Sequence, residues 1–262
     1  MTTVLALKLF LVPLLIWLVT LAGRRWGPLV AGWLSAFPIV AGPILLALAL
    51  EQGAPFAASA TEGTLLAVVA ILVFSLAYAW ACIRCGVAVS MLLALCAYGL
   101  AVAALQALRL PLGVAFVLVW GALLLAGRLF PALPAQAGGA RRKDLGWRML
   151  AAALLVLLVT AGATRLGARL SGFFVMFPVM STVLVGFAHA GTGRASAVAL
   201  LRGMVAGYFG FSVFCVTLAM QLRDSGVGAA FGLALACALA VHLAARRMLA
   251  GPAPAGLPVR GS

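Results

Sequence analysis

The chain has 262 residues, of which 66% are apolar and only 8% charged, with 18 Lys and Arg against 4 Asp and Glu. A soluble domain carries roughly a quarter charged residues, so composition excludes a water-soluble globule. The formal charge of +14 accompanies no nucleic-acid motif and fits basic loops on the cytoplasmic side of a membrane protein.

Nine apolar segments follow one another in chain order. They run approximately over residues 3–23, 28–50, 56–83, 87–107, 111–130, 145–164, 167–190, 195–222 and 227–247. Each is near the length of about 20 residues that spans a bilayer. Backbone groups in lipid must be satisfied within the segment, so these are predicted helices. The first has span length and no small-residue cleavage site after it, unlike a signal peptide. The fold expected is an all-α polytopic membrane protein with about nine transmembrane helices.

The chain also repeats itself. A shift of 140 positions lays Leu18-Val19-Thr20 on Leu158-Val159-Thr160, Gly32 on Gly172, Phe37-Pro38 on Phe177-Pro178, Gly53 on Gly193, Gly63 on Gly203 and Gly86-Val87 on Gly226-Val227. Leucine and alanine matches are cheap in such a composition. Glycines and prolines that interrupt apolar runs at matching points are not. The implied layout is a four-helix unit over residues 1–107, a linker helix over 108–130, a cytoplasmic loop over 131–144, a second four-helix unit over 145–247 and a flexible tail over 248–262. Five spans separate the starts of the two units, so the second enters the membrane from the opposite face. Inverted repeats of this kind are typical of secondary transporters, with the site where the copies meet. Assigning loops alternately to two sides puts twelve basic residues on one side and five on the other. The richer side is cytoplasmic, which leaves the N-terminus outside and the C-terminus inside.

Pro38 and Pro178 fall near the middle of their spans, where each removes a backbone donor. A pair of interrupted helices at matching positions points to a transporter site, which makes Phe37, Pro38, Phe177 and Pro178 candidates. Ser181 and Thr182 follow the second break and are expected to satisfy freed backbone groups. Glu62 and Arg202 occupy equivalent positions inside spans, where ionisable groups are functional candidates. They are expected to act as charged partners, with Glu62 carrying a coupling proton. Gly63-x-x-x-Ala67 and Gly203-x-x-x-Gly207 predict close helix packing, with the third and eighth helices against each other. Lys8 and Arg148, each near the start of a unit, are candidates for lipid-headgroup contacts. His189 and His242 lack partners at ligand spacing, and Cys82-x-x-Cys85 lacks a second pair, so no metal or other cofactor is expected. With four acidic residues, general acid–base catalysis has few groups to draw on, and an enzyme is not expected.

The stretches Val30–Pro38 and Leu170–Pro178 carry a small-Gly-x-x-x-x-Phe-Pro motif after a helix opened by a basic residue, Lys8 or Arg148. In this the chain resembles the GlpM-like small bacterial membrane proteins. Members of that family look like a single unit, whereas this chain is a tandem, two-unit version. The resemblance implies a multi-pass protein of the bacterial cytoplasmic (inner) membrane and lends no chemistry. Topology instead points to a secondary transporter or flippase. The alternative is a non-transporting accessory subunit in envelope polysaccharide or lipid metabolism, which predicts a core packed without a midplane cavity. Candidate partners are membrane lipids, a small-molecule or lipid-linked substrate and a second copy as a homodimer, with no nucleic acid.

Overall fold

The computed structural model describes residues 2–108, 110–134, 145–163 and 177–249. Arg109, Arg165, Arg169, Gly172, the basic loop through Arg141, Arg142 and Lys143, and the tail from 250 lie outside the described residues. The side chain of Lys8 does as well.

All the regular structure described is helical: α1 (Thr2–Trp26), α2 (Pro28–Ser35), α3 (Ala41–Gln52), α4 (Ala54–Ala81), α5 (Val87–Ala107), α6 (Leu112–Leu129), α7 (Leu145–Ala163), α8 (Val179–Thr192), α9 (Arg194–Asp224) and α10 (Val227–Leu249). Five of these, α4, α5, α6, α9 and α10, are long and apolar enough to cross a membrane. The segment expected as one span over residues 28–50 is two helices, α2 and α3, divided at Ala36–Val40.

α4 and α9 form the centre. Of their most apolar stretches 67% is buried, against 17% for α5 and 28% for α10. Helices related by the 140-residue shift therefore share a depth in the bundle. They also share their entry geometry. Gly53 and Gly193 cap α4 and α9 at φ 90°, ψ 161° and φ 91°, ψ 170°, a region essentially reserved for glycine.

Contacts at both ends show that α4 and α9 run antiparallel. The Arg194 guanidinium at the start of α9 donates to the Ile83 carbonyl just past α4 (2.7 Å), and Tyr78 near the end of α4 shares a hydrogen bond with His189 Nδ1 (2.9 Å). At the other end Arg223 pairs with Glu62. α1 and α7 are opposed in the same way, because Arg148 at the start of α7 lines one cavity with Gly23 and Arg24 at the end of α1. α6 has no counterpart and braces the pair. Trp80 of α4 donates to the Leu129 carbonyl (2.9 Å), and Trp120 of α6 donates to Ser212 Oγ on α9 (2.9 Å).

Gly203 and Gly207 do bring backbones together, but against α2 rather than α4. A Cβ on Gly203 would stand 1.9 Å from the Leu29 carbonyl oxygen, and one on Gly32 would stand 1.9 Å from that of Leu200. The glycine face of α9 thus meets the half-helix α2 of the first unit. In lipid, where apolar surface alone gives no drive to associate, such contact supplies the dispersion attraction that holds helices together.

Candidate functional site

The two Phe-Pro sequences form the same turn, which divides α2 from α3 at Pro38 and leads into α8 at Pro178. The amide of Ile39 donates to the Phe37 carbonyl and that of Val179 to the Phe177 carbonyl, both at 2.7 Å. Pro178 has φ −74°, ψ 49°, close to the inverse γ-turn that such an i to i+2 bond closes. Proline fixes φ and lacks an N–H, so the helical ladder stops there. After each turn helical bonding starts where Gly42 and Thr182 donate to the Pro38 and Pro178 carbonyls at 2.9 and 2.7 Å.

Each break packs on the other unit. Phe37 of the first unit meets the His242 ring of α10 edge-on, with centroids 5.2 Å apart. Phe177 of the second unit meets Tyr98 of α5 edge-on at 5.8 Å. Beside the first break lies a cleft of about 300 Å³, lined by Trp33, Phe37, Ile39, Met180, Leu239 and His242 among others. Met180 stands two residues after Pro178, so the cleft reaches the surroundings of both Phe-Pro turns. Its lining is apolar except for Ser35 and His242. Leu18, Ile39, Leu239 and Leu243 line it while also lying on the outer surface, so it opens sideways among exposed apolar side chains.

His242 is the residue that sequence reasoning misses. Its ring stacks on Trp33 (centroids 4.2 Å apart, 17° between planes), and Trp33 Nε1 donates to its backbone carbonyl at 3.2 Å. The space for it comes from α9. A Cβ on Gly207 would lie 3.1 Å from His242 Cε1, and one on Gly210 would lie 2.9 Å from His242 Cβ. Only 2% of the residue is exposed, and neither ring nitrogen makes a hydrogen bond of good geometry among the described residues, with the Gly207 backbone lying against the ring. Burying a polar group without a partner is costly, and in native proteins such a group calls for an explanation. The signal available in sequence was an ionisable residue inside an apolar run.

The other sequence candidates lie elsewhere. Glu62 and Arg202 do not meet. Glu62 pairs with Arg223 (2.5 Å), and Arg202 donates to the Phe130 and Pro131 carbonyls (3.2 and 3.1 Å) just beyond α6. Both charges serve the ends of the bundle, and neither lines the cleft. For Ser181 and Thr182, the carbonyl that Pro178 would free, at Phe174, lies outside the described residues. Ser181 Oγ contacts Met204 Sδ at 3.3 Å, and Thr182 Oγ1 is buried with no partner among the described residues. Arg148 is buried, its guanidinium 5.2 Å from the Phe187 ring centre. It lines a second cavity of about 110 Å³, mostly apolar but with Thr20, Arg24, Thr192 and Ser196 in its wall.

No protein-family model, curated protein or solved structure matches the chain.

Proposed function

We propose that the protein is a secondary transporter or flippase of the bacterial cytoplasmic membrane, with its site in the cleft at the Phe37–Pro38 break. One observation carries the reading: each Phe-Pro turn packs on a helix of the other half of the chain, in a bundle where helices related by the 140-residue shift run antiparallel. That is the arrangement expected of inverted repeats around a shared site. In it the chain crosses the bilayer about nine times, as two inverted four-helix units joined by α6, with the N-terminus outside and the C-terminus inside. Arg24, Arg148 and Arg194 gather at one end, which the excess of positive charge assigns to the cytoplasm. Kinship with GlpM-like proteins, as a duplicated form, is part of the same proposal. No enzymatic role is proposed.

The apolar lining and sideways opening favour a lipid or lipid-linked substrate over a hydrophilic solute. Within the cleft His242 takes the coupling role that the sequence suggests for Glu62. The cleft's lining contains no other ionisable side chain among the described residues. Replacing His242 by Phe removes two buried ring nitrogens and keeps a ring against Trp33. The variant is expected to be as stable as the parent or more so, by about 1 kcal/mol in thermal unfolding, while losing the pH dependence of transport. A variant destabilised by several kcal/mol would make His242 a structural residue.

The decisive experiment needs no known substrate. Ile39→Cys is introduced into a chain freed of its five native cysteines, and the protein is challenged in proteoliposomes with a membrane-impermeant thiol reagent. Alternating access requires reaction from both faces of the membrane. Reaction from one face only, or from neither, favours the accessory-subunit alternative.

A further inference from the structure

The two cavities adjoin. Val19 of α1 lines both, with Leu15 and Leu18 on the apolar side and Thr20, Gly23 and Arg24 on the polar side. From these we infer a single composite site for a phosphate-headed amphiphile. Its head lies among Thr20, Arg24, Arg148, Thr192 and Ser196, and its apolar part lies in the cleft beside Phe37. The inference rests on reading that cleft as the substrate site and names the class of substrate.

The polar end is built for an oxyanion. Arg24 and Arg148 bring two permanent positive charges, and no acidic side chain lines the cavity among the described residues. Guanidinium groups offer several N–H donors in a plane that matches phosphate oxygens. Ser196 stands in the first turn of α9, whose cap Gly193 supplies no side-chain hydrogen bond. The first N–H groups of a helix lack intrahelical acceptors and attract anions.

Thr20 is the independent pointer. It is 7% exposed, and its Oγ1 is buried with no hydrogen-bond partner among the described residues, while the residue itself stands in the cavity wall. A hydroxyl in a helix ordinarily bonds back to the carbonyl one turn earlier, as Thr61 and Thr64 do in α4 (2.7 and 2.8 Å). At about 110 Å³ the cavity is several times the roughly 10–15 Å³ that one water needs, so it admits a tetrahedral group. It lies at the end of the bundle where Arg24, Arg148 and Arg194 gather, which in the proposed topology is headgroup depth. The neighbouring cleft continues inward.

The test uses the purified full-length protein, delipidated in a neutral detergent. It is titrated separately with phosphatidylglycerol and with inorganic phosphate against chloride at equal ionic strength. Retained ligand is read by native mass spectrometry and the unfolding midpoint by a thermal shift. Phosphatidylglycerol is expected to bind and raise the midpoint. Thr20→Val and Arg24→Gln should each weaken its binding roughly tenfold. Leu239→Trp, which fills the cleft from its exposed rim, should also weaken it by roughly tenfold or more without altering binding of inorganic phosphate. Thr20→Val should leave the empty protein as stable as before or more so, because it deletes an unpartnered hydroxyl, so its effect on binding does not come from damage to the fold. Two results overturn the proposal. One is no binding of the lipid, or lipid binding unchanged in Thr20→Val. The other is inorganic phosphate binding as tightly as the lipid, with Leu239→Trp changing neither, which leaves a site for a free oxyanion alone. Binding is read at equilibrium, so lipid bound without thiol access from both faces in the Ile39→Cys variant sinks only the transport reading. Access from both faces without lipid binding sinks only this one.

Discussion

α4 and α9 are related by the 140-residue shift in the sequence, yet only part of what they do is the same. Both begin at a glycine held near φ 90°, and both are two-thirds buried. Their charged residues diverge. Glu62 finds Arg223, whereas Arg202 finds two carbonyls at the end of α6. α6 lies against both helices, but its end meets them differently: Trp80 of α4 donates to the Leu129 carbonyl, whereas Arg202 of α9 reaches the Phe130 and Pro131 carbonyls just beyond it. Features set by backbone geometry, the glycine caps and the Phe-Pro turns, are common to both units. Polar pairing is decided by whatever lies alongside, and it differs.

The largest expected effect tests the close approach made by α9. Gly203→Ala would force its Cβ to 1.9 Å from the Leu29 carbonyl, and backbone cannot yield as a flexible side chain can. The loss should reach about 3 kcal/mol or more in thermal unfolding. Gly99→Ala, with nothing within 4 Å of the new Cβ, should be neutral or stabilising by about 0.5–1 kcal/mol. Equal behaviour of the two variants would remove the crossing of α2 and α9 from the description of the core.

Intermediate effects measure the likeness of the units. Gly53→Ala and Gly193→Ala place a side chain in a region that costs about 1–3 kcal/mol. Because the two caps share their dihedrals, the two losses should agree within experimental error, and a clear inequality would show that the caps are not equivalent. The smallest effects measure the difference. Arg202→Gln withdraws a charged donor from two carbonyls of buried residues and should cost about 1 kcal/mol. Glu62→Gln breaks an exposed ion pair, with side chains 35% and 61% exposed, and should cost no more than about 0.5 kcal/mol. A larger loss at Glu62 would restore it as a buried functional carboxylate.

The sequence by itself determined the helical class, the repeat and the points where helices stop. These are local consequences of composition and of residues with special backbones. Pro38 and Pro178 end a helical ladder wherever they stand, and Gly53 and Gly193 permit one conformation that other residues resist. The tertiary structure alone decided which side chains meet. Glu62 and Arg202 look like partners because they align in the repeat, but alignment across an antiparallel pair places them toward opposite ends. His242 looks like a lone histidine because its significance lies in what does not surround it: two ring nitrogens buried between Trp33, Phe37 and the glycine face of α9. Hydrogen bonds and charges act over a few ångströms between residues as far apart in the chain as Trp33 and His242, and only packing brings such residues within that reach.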